Sequence, residues 1–218
     1  MPIIVAIDGP AGAGKSTIAE LCAQSLGLTR VNTGAIYRAL TLLALERGVG
    51  DDDGQVVALL PELEALRFEG RTVYLGDRDI SSDIRTAAVT KAVSRISAIG
   101  AVREGLLQMQ RTLARAHPEG AVLEGRDIGT VVFPDADVKV FLTASAEERA
   151  RRRLEDDESS DADFEEVLAD IRRRDAYDES REVAPLRPAE DAAIVDSTGK
   201  TKRQVVEEIV GIVRRKTA

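Results

Sequence analysis

A glycine-rich segment near the start of the chain has the residue types and spacing of a phosphate-binding loop. It fits G-x-x-x-x-G-K-[ST] and reads Gly9-Pro10-Ala11-Gly12-Ala13-Gly14-Lys15-Ser16. Glycines let backbone N–H groups approach phosphate oxygens, Lys15 brings a positive charge to the β- and γ-phosphates, and Ser16 offers a hydroxyl to Mg²⁺. We therefore expect this segment, together with Thr17, to bind a nucleoside triphosphate and Mg²⁺. The motif does not identify the second substrate.

Arginines in three other segments are suited to an anionic acceptor of a phosphoryl group. Arg126 and Asp127 directly follow a predicted strand, and the ends of parallel strands converge where ligands bind. Arg38 lies on a predicted helix, and Arg181 follows the run Arg172–Arg174. Guanidinium groups stabilise the charge of a transferring phosphoryl group, and an acceptor that is itself a phosphate needs no general base. These residues favour phosphoryl transfer to an anion.

Some of these side chains also have ordinary structural interpretations. Arg38 could solvate the exposed face of its helix, and Tyr37 could lie in the core, with only its hydroxyl to suggest binding. Asp127 could be a salt-bridge partner, a group that orients water around Mg²⁺, or a residue that reads a base. The residues alone leave these alternatives open.

Short apolar runs alternate with amphipathic segments, which predicts an α/β fold on a parallel sheet. The predicted strands are 3–7, 121–123, 138–142 and 192–195, and the predicted helices are 16–26, 34–47, 56–66, 95–116, 146–154, 164–179 and 202–216. Residues 67–75 alternate around a turn like a β-hairpin, and 155–163 form an acidic loop. Residues 55–95 therefore read as a small α+β insertion in a core made of 1–54 and 96–218.

The composition disfavours several other classes of protein. The 218 residues carry a formal net charge of −8, which argues against a protein that coats nucleic acid. One cysteine, Cys22, permits no intramolecular disulfide, and one histidine, His117, argues against a His-rich metal site or a Ser-His-Asp triad. No apolar run reaches the roughly 18–20 residues of a membrane helix. We expect a cytoplasmic, monomeric protein that binds small nucleotides and neither nucleic acid nor membrane.

The motifs together resemble the bacterial cytidylate (CMP/dCMP) kinases, of the nucleoside monophosphate kinase group of P-loop kinases. The resemblance covers nearly the whole chain, and its most specific block, at 125–136, reads GRDIGTVVFPDA. It implies a three-layer P-loop NTPase-type fold with a parallel central sheet, in which 55–95 is the nucleoside-monophosphate-binding insert and 153–165 is a short lid. It also implies transfer of the γ-phosphoryl group of MgATP to CMP or dCMP, which gives CDP or dCDP and ADP.

The resemblance further implies roles for individual residues. The implied catalytic residues are Lys15, Arg126, Arg181 and Arg38, and the three arginines would hold the α-phosphate of the acceptor. Cytosine would be read by Ser94, Arg103 and Asp127, because its N4 amino group is a donor and its O2 and N3 are acceptors. Arg152 would stack on the adenine of ATP. The full set implied for CMP is Thr33, Tyr37, Arg38, Ser94, Arg103, Arg126, Asp127, Arg174, Asp178 and Arg181, with Arg174 and Asp178 at the sugar.

Two alternatives stay open. The same chemistry could serve another small acceptor, such as UMP or AMP. A regulatory ATPase is also compatible with the chain, because Glu124 follows a predicted strand in the manner of a Walker B carboxylate.

Overall fold

The computed structural model of the chain describes residues 2–70, 72–156 and 163–217. The strands are β1 (Ile4–Asp8), β2 (Thr29–Asn32), β3 (Leu66–Glu69), β4 (Thr72–Leu75), β5 (Arg78–Asp79), β6 (Ala121–Gly125), β7 (Val138–Thr143) and β8 (Ala193–Asp196). The α-helices are α1 (Lys15–Leu26), α2 (Thr33–Glu46), α3 (Asp53–Ala58), α4 (Ala87–Ile96), α5 (Gly100–Arg115), α6 (Ala146–Asp156), α7 (Phe164–Glu179) and α8 (Lys202–Thr217). Short 3-10 helices lie at Leu60–Ala65 and Asp83–Arg85, and a π-helical turn lies at Ile128–Val132.

The chain forms two compact units, of which the first extends up to Val31 and resumes at Arg111. A five-stranded sheet in the order β2-β6-β1-β7-β8 supports this unit. Strand β1 pairs in parallel with β6 and β7, and β7 pairs in parallel with β8. Val5 and Ile7 of β1 pack with residues of α1 and α8, while Ala6, on the opposite face of the strand, is equally buried. Burial on both faces is typical of a parallel α/β sheet, and it confirms the predicted fold class.

The second compact unit comprises Asn32–Gln110. It holds a three-stranded antiparallel sheet in the order β3-β4-β5, which confirms the predicted hairpin. Helix α2 packs against α4 and against the 3-10 turn at Asp83–Arg85, so α2 belongs to this unit. The predicted insert, 55–95, therefore lies inside a unit that is larger than the insert at both ends. Its role in binding a nucleoside monophosphate stays a prediction.

The helix predicted over 95–116 is confirmed over most of its length but begins later, because the preceding helix ends inside the predicted range. Helix α4 ends at Ile96 and α5 begins at Gly100. The hydroxyl of Ser97 donates to the Ser94 carbonyl at 3.1 Å, and Arg103 Nη1 donates to the Ser97 carbonyl at 2.9 Å. Side chains thus bond the carbonyls at the break, in competition with continued helix.

Other local predictions need smaller corrections. The helix predicted over 56–66 is α3 followed by the 3-10 helix Leu60–Ala65, which carries a proline in its first turn. The acidic loop predicted over 155–163 begins later, because α6 continues to Asp156. Residues 157–162 of that loop, and hence part of the predicted lid at 153–165, lie outside the described residues. Strand β2 was not predicted. In the described ranges, no helix is both long and apolar enough to cross a membrane.

Candidate active site

The phosphate loop joins the end of β1 to the start of α1, as predicted. Space requires a glycine at position 9, because a Cβ there would lie 2.0 Å from the carbonyl oxygen of Leu142. Gly14 has φ 84°, in the left-handed region that favours glycine, and it caps helix α1. The loop therefore ends at a helix N-terminus, where N–H groups and the helix dipole favour an anion.

Lys15 is buried at the start of α1. Its Nζ donates a hydrogen bond to the Pro10 carbonyl at 2.7 Å. Burial lowers the pKa of Lys15 well below its ordinary value, and the charges of Arg126 and, less strongly, Arg174 lower it further, while Glu124 and Asp8 act in the opposite direction. A phosphate bound here would favour the charged amine, so the electrostatics of the first unit suit an anionic ligand.

The Ser16 hydroxyl is held by a buried carboxylate. Ser16 Oγ donates to Glu124 Oε2 at 2.6 Å, and Arg30 donates to Glu124 Oε1 from Nε at 3.1 Å and from Nη2 at 2.6 Å. Arg30 also pairs with Glu20 at 3.1 Å. Arg30 was not predicted as a site residue, because it lies in the unpredicted strand β2 and is separated from Glu124 by 94 residues.

This arrangement fits Mg²⁺ bound together with a nucleotide. Across the described residues, no cluster of three or more His, Cys, Asp or Glu side chains could hold a metal ion. Mg²⁺ prefers oxygen ligands, keeps several waters and commonly binds through one or two protein groups plus substrate phosphates. The hydroxyl of Ser16, with the Glu124 carboxylate behind it, is such a donor set.

A single buried carboxylate holds two of the predicted phosphate-binding arginines. Asp178 Oδ2 accepts from Arg126 Nε at 3.0 Å, and Asp178 Oδ1 accepts from Arg181 Nη2. The Arg181 guanidinium also lies 5.8 Å from the centre of the Tyr177 ring. The family resemblance implied that Asp178 contacts the sugar. In the structure it orients two guanidinium groups, whose combined charge it does not neutralise.

Asp127 is buried and immediately precedes the π-helical turn Ile128–Val132. Its carbonyl accepts hydrogen bonds from Val131 N–H at 2.9 Å and Val132 N–H at 3.1 Å. No regular structure was predicted directly after β6, because a π-helical turn of five residues leaves no periodic signal in the sequence.

The other residues implied for CMP lie in the second unit. The guanidinium of Arg103 lies 5.4 Å from the centre of the Tyr37 ring, and Tyr37 is buried. Arg38 Nη1 donates to the Ile84 carbonyl at 2.8 Å and to Thr90 Oγ1 at 3.0 Å, so Arg38 does more than solvate a helix face. Thr33 is buried at the first position of α2, and Ser94 is half-buried in α4. Binding of CMP by these side chains stays a prediction.

Two arginines of α6 differ in how well the sequence indicated them. Arg152, predicted to stack on adenine, donates to Ser197 Oγ at 3.0 Å and to the Ser197 carbonyl at 2.7 Å, directly after β8. Its stacking role stays a prediction. Arg149 was not predicted, yet its Nη1 donates to the carbonyl of Ala11, in the phosphate loop, at 3.1 Å.

Comparison with known proteins decides the family. The family model described as cytidylate kinase matches residues 5–215. The chain belongs to the cytidylate kinase family. The cytidylate kinase of Shouchella clausii is 49% identical over 216 residues, which cover 96% of this chain and 95% of that protein. The cytidylate kinase of Mycolicibacterium paratuberculosis is 44% identical over 221 residues, which cover 99% of this chain and 96% of that protein.

The phosphate loop and the arginines described above therefore belong to a member of a kinase family. The resemblance stated from the motifs is therefore confirmed. Among solved structures, an uncharacterized protein from Eubacterium ventriosum aligns with a TM-score of 0.57 at 12% identity and covers 99% of each chain. At that identity, the likeness supports the fold alone.

Proposed function

We propose that this member of the cytidylate kinase family transfers the γ-phosphoryl group of ATP to CMP or dCMP and so forms CDP or dCDP and ADP. The observation that carries the proposal is the buried Lys15 of the phosphate loop, with Arg126 and Arg174 near enough to lower its pKa. Bound phosphates would favour the charged form of Lys15, and phosphoryl transfer brings together two anionic substrates.

On the donor side, Gly9–Thr17 bind the phosphates of ATP. Lys15 exchanges the carbonyl of Pro10 for oxygens of the β- and γ-phosphates, which restores the charge that burial disfavours. Arg152 stacks on the adenine from its place against Ser197. Ser16 would hold Mg²⁺ and Glu124 would orient the ligands around it. When bound, that ion neutralises charge on the β- and γ-phosphate oxygens.

On the acceptor side, arginines bind the α-phosphate of CMP. Arg126 and Arg181 are oriented by Asp178, and guanidinium groups bind phosphate oxygens through charge-assisted hydrogen bonds. Arg38 is the third such arginine, with Thr33 near the same phosphate. A carboxylate has about four lone pairs, so Asp178 can also accept from a sugar hydroxyl while it holds both arginines. Arg174 contacts the sugar as well.

The base is read by side chains whose hydrogen-bonding groups match cytosine. Asp127 accepts from the N4 amino group, and Ser94 and Arg103 donate to O2 and N3. Tyr37 holds Arg103 in place through its ring. Uracil presents an acceptor at position 4, so the carboxylate of Asp127 disfavours UMP.

The chemical step needs positioning and charge stabilisation rather than proton transfer. An oxygen of the CMP phosphate attacks the γ-phosphorus, and the new P–O bond forms as the bond to the β,γ-bridging oxygen breaks. ADP leaves with that electron pair. Lys15 and the arginines stabilise the charge that spreads over the transferring oxygens.

The test is ADP release by the purified protein with MgATP and one acceptor at a time: CMP, dCMP, UMP, AMP or none. We expect strong stimulation by CMP and dCMP. Stimulation by UMP or AMP instead would assign another acceptor, and ATP turnover that ignores every acceptor would favour a regulatory ATPase. Lys15→Ala should lower kcat by about 100-fold or more. Lys202→Ala, at an exposed lysine of α8, is the matched control.

A further inference from the structure

The π-helical turn after Asp127 is held at its amino end by Asp8. Both oxygens of this buried carboxylate accept backbone hydrogen bonds, from Ile128 N–H at 2.7 Å and from Gly129 N–H at 2.7 Å. Asp8 is the last residue of β1, and the next residue, Gly9, begins the phosphate loop. The backbone of Asp8 therefore leads directly into the phosphate loop, while its side chain binds the amino end of the π-helical turn.

Arg111 holds the other end of the same turn. Its Nε donates to the Val132 carbonyl at 2.8 Å, and its Nη2 donates to the Val131 carbonyl at 3.3 Å. A carboxylate at the amino end and a guanidinium at the carboxyl end both match the dipole of a helical turn. We call Asp8 and Arg111 the turn clamp.

The turn itself leaves little room for adjustment. A Cβ at Gly129 would lie 3.1 Å from Lys139 Cδ and 3.4 Å from Asp8 Oδ2. π-Helical turns are rare and occur frequently at functional sites. Here the two residues immediately before the turn are Arg126 and Asp127. Any shift of the turn moves the backbone of both.

We propose that Asp8 and Arg111 are positioning residues. They hold Arg126 and Asp127 at the position relative to the phosphate loop that phosphoryl transfer requires. This inference rests on the proposed function, in which Arg126 and Asp127 bind the acceptor. A transferring group must reach its acceptor in a near-attack geometry, and a misplacement of about 1 Å can cost about 100-fold in rate. Loss of either residue of the turn clamp should therefore impair use of CMP, and loss of Arg111 should leave binding of ATP intact.

Two variants test the inference, Asp8→Asn and Arg111→Gln, with Arg203→Gln, at an exposed residue of α8, as control. In Asp8→Asn, the side-chain amide keeps one acceptor oxygen but places its NH₂ group against a backbone N–H of the turn, where no hydrogen bond can form. We expect kcat/KM for CMP to fall by about tenfold or more in both variants. The Kd of ATP without acceptor should stay within about twofold in Arg111→Gln, whereas Asp8→Asn also removes a charge that acts on Lys15. Amide hydrogen exchange should accelerate over 126–133 and remain unchanged over α8.

The possible outcomes distinguish failure of the turn clamp from failure of the proposed function. Faster exchange over 126–133 with unchanged use of CMP would overturn a positioning role, and so would equal losses for ATP and CMP with faster exchange in α8. Unchanged exchange over 126–133 in both variants would overturn the clamp itself. A wild-type protein without CMP-stimulated ADP release would contradict the proposed function instead, while faster exchange over 126–133 in the variants would still support the clamp.

Discussion

Arg149 and Asp175 form a bidentate ion pair, with Nη1 3.0 Å from Oδ1 and Nη2 2.6 Å from Oδ2. Both side chains are largely shielded, with 6% and 16% of their surface exposed. The guanidinium also donates to the carbonyls of Ala11 and Ala144, at 3.1 and 3.0 Å. Helices α6 and α7 are therefore tied through one arginine to the phosphate loop, which no periodicity in the sequence indicated.

Breaking this pair from either side should destabilise the fold strongly. Arg149→Met leaves a buried carboxylate, and Asp175→Asn leaves a buried guanidinium, so we expect each variant to lose about 3–5 kcal/mol. The double variant should lose less than the sum, because no unpaired charge remains. Urea denaturation of the four proteins measures this coupling. Arg173→Met, at an exposed ion pair with Asp170, should change stability by less than about 1 kcal/mol. Additive losses would contradict the paired role.

Glu124→Gln should weaken the use of Mg²⁺. The substitution keeps the shape of the side chain and removes the charge behind the hydroxyl of Ser16. Residues that orient metal ligands typically contribute about 10–100-fold in metal affinity or activity. ADP release at fixed ATP and increasing Mg²⁺ should therefore reach half its maximum at a higher Mg²⁺ concentration, with a lower kcat. Glu208→Gln, in α8, is the control. An unchanged Mg²⁺ dependence would exclude the assigned role.

Asp8 should make stability depend on pH in a defined window. Burial raises the pKa of Asp8 from 3.8 to about 6, despite two N–H donors that lower it. The native state therefore binds the proton more tightly than the unfolded chain, so the contribution of Asp8 is fully present below pH 3.8 and is lost as pH rises through about 6.

The comparison that isolates this group is wild type against Asp8→Asn. Between about pH 4.5 and 7.5, the free energy of unfolding of the wild type should fall by about 2 kcal/mol relative to the variant. Urea denaturation across this range measures the difference, in which the titration of other carboxylates largely cancels. A difference that stays constant with pH would contradict the raised pKa.

Two glycines of the phosphate loop should differ in their tolerance of alanine. Gly9→Ala would place a Cβ 2.0 Å from the Leu142 carbonyl, so we expect a protein that fails to fold or loses ATP binding. Gly14→Ala meets no atom within 4 Å and suffers only from φ 84°. That left-handed conformation costs about 1–2 kcal/mol. Thermal unfolding and ATP binding of both variants test this order, and equal effects would refute it.

Asp127→Asn should change the choice of acceptor. The amide of asparagine can donate to O4 of uracil, whereas a carboxylate only accepts. We expect the ratio of kcat/KM for CMP to that for UMP to fall by about tenfold or more, because mismatched hydrogen-bonding groups strongly reject a substrate. Asp135→Asn, at an exposed residue of the same block, should leave the ratio unchanged. A ratio that is equally unchanged in Asp127→Asn would remove Asp127 as the reader of the base.

Local patterns predicted the elements that carry the phosphate loop. Strand β1 is an apolar run dominated by β-branched residues up to Asp8, and α1 is bounded by glycines at both ends, so each signal lies within a few residues. Strand β2 contains one apolar residue, Val31, among three polar ones, and it forms because β6 lies beside it. Such a strand cannot be found from periodicity.

The residues of the candidate site also differ in whether local patterns predicted them. Lys15, Ser16 and Arg126 belong to contiguous motifs and were predicted. Arg30 and Asp8 act through partners that lie 94 and about 120 residues away along the chain, so only the folded sheet brings them into contact. Their side chains carry no distinctive spacing in the sequence.

The most direct test of the central claim is the stoichiometry of products. Purified protein is incubated with MgATP and CMP, and CDP and ADP are quantified by chromatography over the linear phase. The account predicts one CDP for each ADP, about 100-fold less CDP from Lys15→Ala, and little ADP when CMP is omitted. ADP formed without an equal amount of CDP, at the same rate with and without CMP, would contradict it.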